Sequence, residues 1–182
     1  PETPDCYYNW TATYSCASND WEVVLTSSGI GTVTPTDWTD GSGGQATRIT
    51  TTPTTPDAPT EELTCCFYWF ASFNCTTDEW EVSLNYSSVC AEAESNWSDG
   101  SSGYSERITH SATTPEPPMD DLTCIFFWEA YYDCGTLTWT VYGYGGWPSS
   151  GSATPWSVSG TYASCTTTSA TQPSPPTETP EC

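Results

Sequence analysis

Positive charge is what this chain most lacks. Among 182 residues there is no Lys, and Arg48 and Arg107 stand against 23 acidic residues, for a formal charge of −21. Such a field repels DNA, RNA and anionic membranes at ordinary ionic strength, which excludes nucleic acid as a partner. His110 is the single histidine, and neither a Gly-x-Ser-x-Gly elbow nor a Gly-rich phosphate loop occurs. Nucleophile-and-base and phosphoryl chemistry therefore have no parts, and the chain reads as a non-enzyme. Paired carboxylates can cleave glycosides, but the acidic residues collect in linkers such as Asp57 to Glu62 and Glu116 to Asp121, the pattern of a solvated face. No apolar run approaches eighteen residues, so no membrane insertion is expected. With no charged-then-apolar leader either, the expectation is a secreted chain already free of any signal peptide.

Cysteine, by contrast, is abundant. Ten cysteines and fifteen prolines point to small units held by covalent staples. The count is even, and the C-x-x-C and His pairs of a zinc site are missing, so disulfides and an extracellular location are expected, with no cofactor.

Self-comparison exposes a period of 59 residues: Cys6, Cys65 and Cys124 follow it, as do Cys16, Cys75 and Cys134, Trp21, Trp80 and Trp139, and Trp38, Trp97 and Trp156. Cys182 falls at the start position of a fourth repeat. Each repeat opens with strict alternation, for example Cys65, Phe67, Trp69, Ala71, Phe73 and Cys75, which is the period of a half-buried strand. A four-residue connection at 17 to 20 or 76 to 79 leads into Trp21-x-Val23-x-Leu25 or Trp80-x-Val82-x-Leu84, a hairpin signal. A further strand is expected near Thr47 to Thr51 and Glu106 to His110, and Pro/Thr straps follow. The predicted fold is all-β: three tandem disulfide-stapled modules over residues 1–64, 65–123 and 124–182, each with three to four strands.

Cys6 and Cys16 lie ten residues apart in one strand, about 33 Å at the usual rise, and cannot bond to each other. The most regular pairing clamps each hairpin tip to the cysteine after the next strap: Cys16 with Cys65, Cys75 with Cys124, and Cys134 with Cys182. Cys66 and Cys90 are the extra pair of repeat two, brought opposite by a hairpin that aligns Cys75 with Trp80 and carries one bulge. Cys6 and Cys165 remain, and Cys6 occupies the position that the tip of a preceding repeat would take. An intersubunit bond is expected there. Ten cysteines allow about 945 pairings, so spacing alone leaves the connectivity open.

Four N-x-Ser/Thr acceptors begin at Asn9, Asn74, Asn85 and Asn96. The first three alternate away from the Trp/Cys faces of their strands, where covalent glycans would leave a core undisturbed. Six tryptophans, Trp10, Trp21, Trp69, Trp80, Trp128 and Trp139, share faces with cysteine or aliphatic residues and are expected to be buried. Tyr142, Tyr144 and Trp147, in a Gly-rich stretch of repeat three, are the candidates for an exposed aromatic patch that would bind sugar or another subunit. Asp37, Asp40 and Asp99 sit in Asp/Gly/Ser turns with oxygen ligands suited to Ca²⁺, though turn formation is the more economical reading.

The Cys-x-aromatic-x-Trp-x-Ala-x-aromatic-x-Cys strand, its Trp-x-Val partner and the Thr/Pro straps resemble the Cys/Trp/Thr-rich tandem-repeat proteins of environmental bacteria, including extracellular glycofibril subunits. The resemblance covers the whole chain in style. It implies a structural fibre or surface-coat subunit that assembles head to tail with copies of itself and carries carbohydrate. By the 59-residue spacing repeat three departs from this pattern, placing Thr166 where the others have Arg and adding Cys165. A secreted adhesin or carbohydrate-binding protein using exposed aromatics is the alternative.

Overall fold

The computed structural model describes residues 5–149 and 151–182. Ten strands occur in the order β1 (Cys6–Ser15), β2 (Asp20–Ile30), β3 (Gln45–Thr50), β4 (Cys65–Asn74), β5 (Glu79–Val89), β6 (Tyr104–Thr109), β7 (Cys124–Asp133), β8 (Thr138–Pro148), β9 (Thr154–Ser159) and β10 (Tyr162–Thr167). No helix occurs among the described residues, and so none is long and apolar enough to cross a membrane. The strands form three small antiparallel sheets, ordered β2-β1-β3, β5-β4-β6 and β8-β7-β10-β9. Each sheet is thus centred on the alternating Cys/Trp strand that opens a repeat. In the two three-stranded sheets that strand is the one paired along both edges; in the four-stranded sheet β10 is as well, with Ala163 and Cys165 buried.

The hairpin registers differ from expectation at the tip. Tyr14 pairs with Trp21 and Tyr132 with Trp139, with Ser15 opposite Asp20 and Asp133 opposite Thr138, so the loop of the first repeat is residues 16–19. The expected alignment of the tip cysteine with the tryptophan is overturned by turn chemistry. Asn19, Asp78 and Leu137 close their loops with φ of 54°, 60° and 58°, in the left-handed region. Asp78 N–H donates to the Asn74 carbonyl and Leu137 N–H to the Asp133 carbonyl, at 2.8 and 2.7 Å, one helical turn that is not continued. A bulge between Asn9 and Trp10, and again between Phe126 and Trp128, then restores the opposition of Cys6 with Ile30 and Cys124 with Pro148.

Four disulfides close in the structure: Cys16–Cys65, Cys66–Cys90, Cys75–Cys124 and Cys134–Cys182, with Cα separations of 5.6 to 5.9 Å. Three of these, Cys16–Cys65, Cys75–Cys124 and Cys134–Cys182, are the partners that the clamp reading assigns, and Cys66–Cys90 is the extra pair of repeat two. Cys6 and Cys165 are unbridged. Cys165 is a correction: it is buried, lies across from Trp128, and packs in a cluster with Cys124, Phe126 and Trp128, where Cys124 is already bonded to Cys75. Burial raises its thiol pKa and keeps it an apolar filler. Strand pairing also revises the alignment. Arg48 opposes Trp10 and Cys165 opposes Trp128, so Cys165 and not Thr166 is the structural counterpart of Arg48. One residue fewer precedes it in repeat three.

Trp10, Trp69 and Trp128 are buried, as are the alanines two positions on, Ala12, Ala71 and Ala130, which have no exposed surface. Each of these indoles donates to a threonine hydroxyl on the third strand, at 2.9 Å to Thr50, Thr109 and Thr167. A buried Trp needs such an acceptor, because an unpaired N–H would cost about 1–3 kcal/mol. Trp21, Trp80 and Trp139 are instead half-buried. They were expected in the core; they stand at the hairpin tips, edge-on to Tyr14, Phe73 and Tyr132, where the next layer is a strap and not a sheet.

The straps carry no strand, yet they are held. Trp21, Trp80 and Trp139 donate to the carbonyls of Glu61, Asp120 and Glu178, and Trp38, Trp97 and Trp156 to those of Asp57, Glu116 and Ser174, all at 2.7 to 3.2 Å. Extended Pro-rich chain has no internal bonds, so its carbonyls are free to accept. Nine of the ten tryptophans therefore repeat a structural contact. Trp147 has no counterpart in the other repeats.

By contact density the chain divides into two compact units: Pro1–Trp69 with Leu84–Asn96 and Ile108–Thr114, and Phe70–Ser83 with Trp97–Arg107 and Pro115–Cys182. The division falls inside the second repeat. The first unit holds the bridge Cys16–Cys65 and the second the bridge Cys75–Cys124.

Candidate functional site

The junction is the recurrent built feature of the molecule. In the first unit the tip cysteine, Cys16, bonds Cys65, and the turn at Gly44 lies against Val89. In the second unit Cys75 bonds Cys124, and Gly103 lies against Pro148. Gly44 and Gly103 have φ of 80° and 81°, and a side chain on either would run into Val89 or Pro148. Both conditions demand glycine. The receiving strands are correspondingly covered: Cys65, Cys66 and Phe67 are 6, 0 and 6% exposed, and Cys124, Ile125 and Phe126 are 7, 4 and 7% exposed. Phe73 and Cys75 join the Cys124–Trp128 cluster of the second unit, so the tip of one repeat completes the core of the next.

The corresponding residues of the first repeat are paired in the same way and are more exposed. Cys6 is exposed, Tyr7 and Tyr8 are half-exposed, and Ile30, the counterpart of Val89 and Pro148, is 71% exposed. Cys6 and Ile30 are direct partners across β1 and β2, as Cys124 and Pro148 are across β7 and β8.

A second feature lies on the outer face of the β8-β7-β10-β9 sheet. Tyr131 and Tyr162 donate to the two carboxylate oxygens of Glu129, at 2.8 and 2.9 Å. The hydroxyls of Tyr144, Tyr131 and Tyr162, despite some desolvation, hold the Glu129 carboxyl below the usual range. The reciprocal effect raises all three phenols, Tyr131 to about 12, through its bond to Glu129, then desolvation and nearby charge. Tyr131 meets Tyr142 and Tyr162 edge-on, with ring centroids 5.9 and 5.4 Å apart. Tyr142, Tyr144 and Trp147 are 51, 58 and 47% exposed. The structure gathers Tyr142 and Tyr144 around Tyr131 and Glu129, two residues that sequence patterning did not single out. Trp147 lies at the far end of the hairpin, opposite Ile125. The missed signal is the parity of β7, whose outward positions Phe127, Glu129 and Tyr131 belong to the face of Tyr142 and Tyr144.

Among the acceptor asparagines, Asn85 and Asn96 are exposed, while Asn9 and Asn74 are half-exposed and bonded. Asn9 Nδ2 donates to Ser27 Oγ and Asn74 Nδ2 to Glu81 Oε1, and Asn74 Oδ1 accepts from Thr76 N–H. Asp40 and Asp99 each accept from a backbone N–H two residues on, at 2.9 Å, which lowers their carboxyl pKa and closes the turn; Asp37 is exposed. Cys66, Cys90 and His110 place one ligand atom each within 4.8 Å of one another, but the disulfide uses both sulfurs and His110 Nε2 lies 2.9 Å from the Glu92 carbonyl.

No protein-family model, curated protein or solved structure matches the chain.

Proposed function

We propose that this protein is a structural subunit of an extracellular, glycosylated fibre or surface coat, built by adding modules in series. The observation that carries the reading is the junction, made twice from the same parts: a tip cysteine bonded to the next opening strand and a glycine turn seated beside it. A design that repeats its contacts only between sequence neighbours extends without limit in one direction. The disulfides suit an oxidising compartment. The strong negative charge keeps such a chain soluble and away from nucleic acid. Asn85 and Asn96 offer exposed attachment points for carbohydrate. The resemblance to glycofibril subunits points the same way.

Negative-stain electron microscopy of natively purified material, with intact mass before and after reduction and deglycosylation, tests the proposal. Regular filaments and carbohydrate mass are the expected outcome; discrete particles at the bare polypeptide mass would overturn it. The Tyr131, Tyr142 and Tyr144 surface around Glu129 favours sugar binding as a second reading, since aromatic faces and fixed hydrogen-bonding groups suit saccharide rings. Retention on a glycan array, lost on Tyr142→Ala, would select it.

A further inference from the structure

The residues by which repeat two departs from the period meet at one place. Cys66 stands near the start of β4, Cys90 follows the end of β5, and His110 follows the end of β6, so the order β5-β4-β6 brings all three to one end of the sheet. One ligand atom from each lies within 4.8 Å of the others. None of the three is repeated. The places of Cys66 and Cys90 are taken by Tyr7 and Gly31 in repeat one and by Ile125 and Ser149 in repeat three. Those of His110 are taken by Thr51 and Thr168, each following the threonine that accepts from a buried indole. The only imidazole of the chain thus stands beside the one bridge that the period does not supply. A bridge that served only as a staple would not call for it.

We propose that Cys66, Cys90 and His110 bind a Zn²⁺ ion when the cysteine pair is in its dithiol form, so that bridge and metal are alternative states of one pair. The proposal goes beyond the fibre reading and does not depend on it. Two thiolates and an imidazole are donors suited to Zn²⁺, and three protein ligands leave the fourth tetrahedral position to water. Water has access because His110 is exposed and Cys90 half-buried, while Cys66 anchors the site from a fully buried position. The ring is already held. The Glu92 carbonyl lies 2.9 Å from His110 Nε2 and 3.8 Å from Cys66 Sγ, and Glu94 Oε1 accepts from the His110 backbone N–H at 2.7 Å. Outer partners of this kind orient a histidine ligand before the metal arrives. Both acids also add negative potential for a cation, and they too belong to repeat two, since Val33 and Pro35 stand at their places in repeat one. The chemistry balances in two steps. An external dithiol opens the bridge, leaving Cys66 and Cys90 as thiols and becoming a disulfide itself. Zn²⁺ then displaces the two thiol protons, so two S–H bonds give way to two Zn–S bonds and no electron moves.

The experiment starts from the full chain, reduced with excess dithiol, freed of it under argon, and refolded in glutathione disulfide with or without equimolar Zn²⁺. Alkylation at intervals, peptide mapping and native mass follow each bridge and the bound metal. Without Zn²⁺ all four bridges should close. With it, Cys16–Cys65, Cys75–Cys124 and Cys134–Cys182 should still close, while Cys66–Cys90 forms about tenfold more slowly in a chain that carries one Zn²⁺. A chelator should release the ion and restore the faster rate. His110→Gln, checked for the same three bridges as a measure of folding, should cut the Zn²⁺ delay to less than about twofold. A Cys66–Cys90 rate indifferent to Zn²⁺, an equal delay at all four bridges, or a delay that persists in His110→Gln would each overturn the site.

Discussion

At the scale of single residues, the chain assigns sharply different work to chemically similar side chains. Trp10, Trp69 and Trp128 are core residues whose only polar atom is satisfied by a threonine, whereas the tip tryptophans hold straps through backbone carbonyls. Tyr131 differs again, because its hydroxyl is committed to Glu129. Its phenol, raised from 10.0 to about 12, favours the folded state while it is protonated. That contribution is complete below pH 10 and disappears as pH climbs through about 12. Glu129, whose carboxyl is lowered, contributes in the opposite sense: its share is present above the normal carboxylate range and is lost as pH falls through its folded value. In a phenolate absorbance titration, at least one tyrosine should therefore resist ionisation beyond pH 11, and Glu129→Gln should return it towards pH 10. An unchanged profile in the variant would disprove the assignment.

At the scale of elements, the interesting object is the strap. A proline-rich segment of this kind has no ladder to join, and it is fixed by a series of indole donors from the hairpin and the following turn. Trp21→Phe removes the donor to Glu61 while keeping an aromatic ring against Tyr14. Losing one such bond costs about 1 kcal/mol, equivalent to roughly a fivefold rise in local opening. A glutamate-specific protease should accordingly cut after Glu61 or Glu62 about five times faster in the variant. Hairpin elements were legible from alternation alone, and the expected strands near 47–51 and 106–110 appear as Gln45–Thr50 and Tyr104–Thr109. Loop register was not legible to the residue. It depends on which residue accepts a left-handed conformation, and Leu137 at φ 58° is a choice that no propensity favours.

At the scale of the whole molecule, covalent staples and small hydrophobic clusters share the task that one large core would perform in a longer domain. The bridges Cys75–Cys124 and Cys134–Cys182 span 49 and 48 residues, so each constrains the unfolded chain by about 4 kcal/mol. Cys75 and Cys124 also pack within the cluster around Phe126 and Trp128, while Cys134 and Cys182 are exposed. Double alanine replacement should thus destabilise the chain by about 4 kcal/mol at the outer bridge, and by about 1–2 kcal/mol more at the junction, where a cavity is left. Denaturant midpoints of the two variants measure the difference. Equal losses would show that the junction cluster adds nothing beyond the bond.

Period, alternation and cysteine spacing are local properties of a chain, and they were sufficient for the all-β class and the opening strand of each sheet; they suggested the four bridges but left the connectivity open until the structure closed them. Two of the exposed aromatics, Tyr142 and Tyr144, were likewise visible from their Gly-rich setting. Burial is not local, because it depends on what another part of the chain places over a residue. Cys6 and Cys65 occupy the same repeat position with the same neighbours in pattern, yet one is an exposed thiol and the other a covered half of a bridge. Spacing already leaves Cys6 over and pairs Cys65 with Cys16, and the difference in burial is what tertiary structure adds. Tertiary structure likewise decides that Cys165 replaces Arg48 in the ladder, and that Glu129 collects hydroxyls from two neighbouring strands as well as from its own. Each depends on residues far apart in sequence meeting across a strand pair, where a shift of one position changes which side chains share a face.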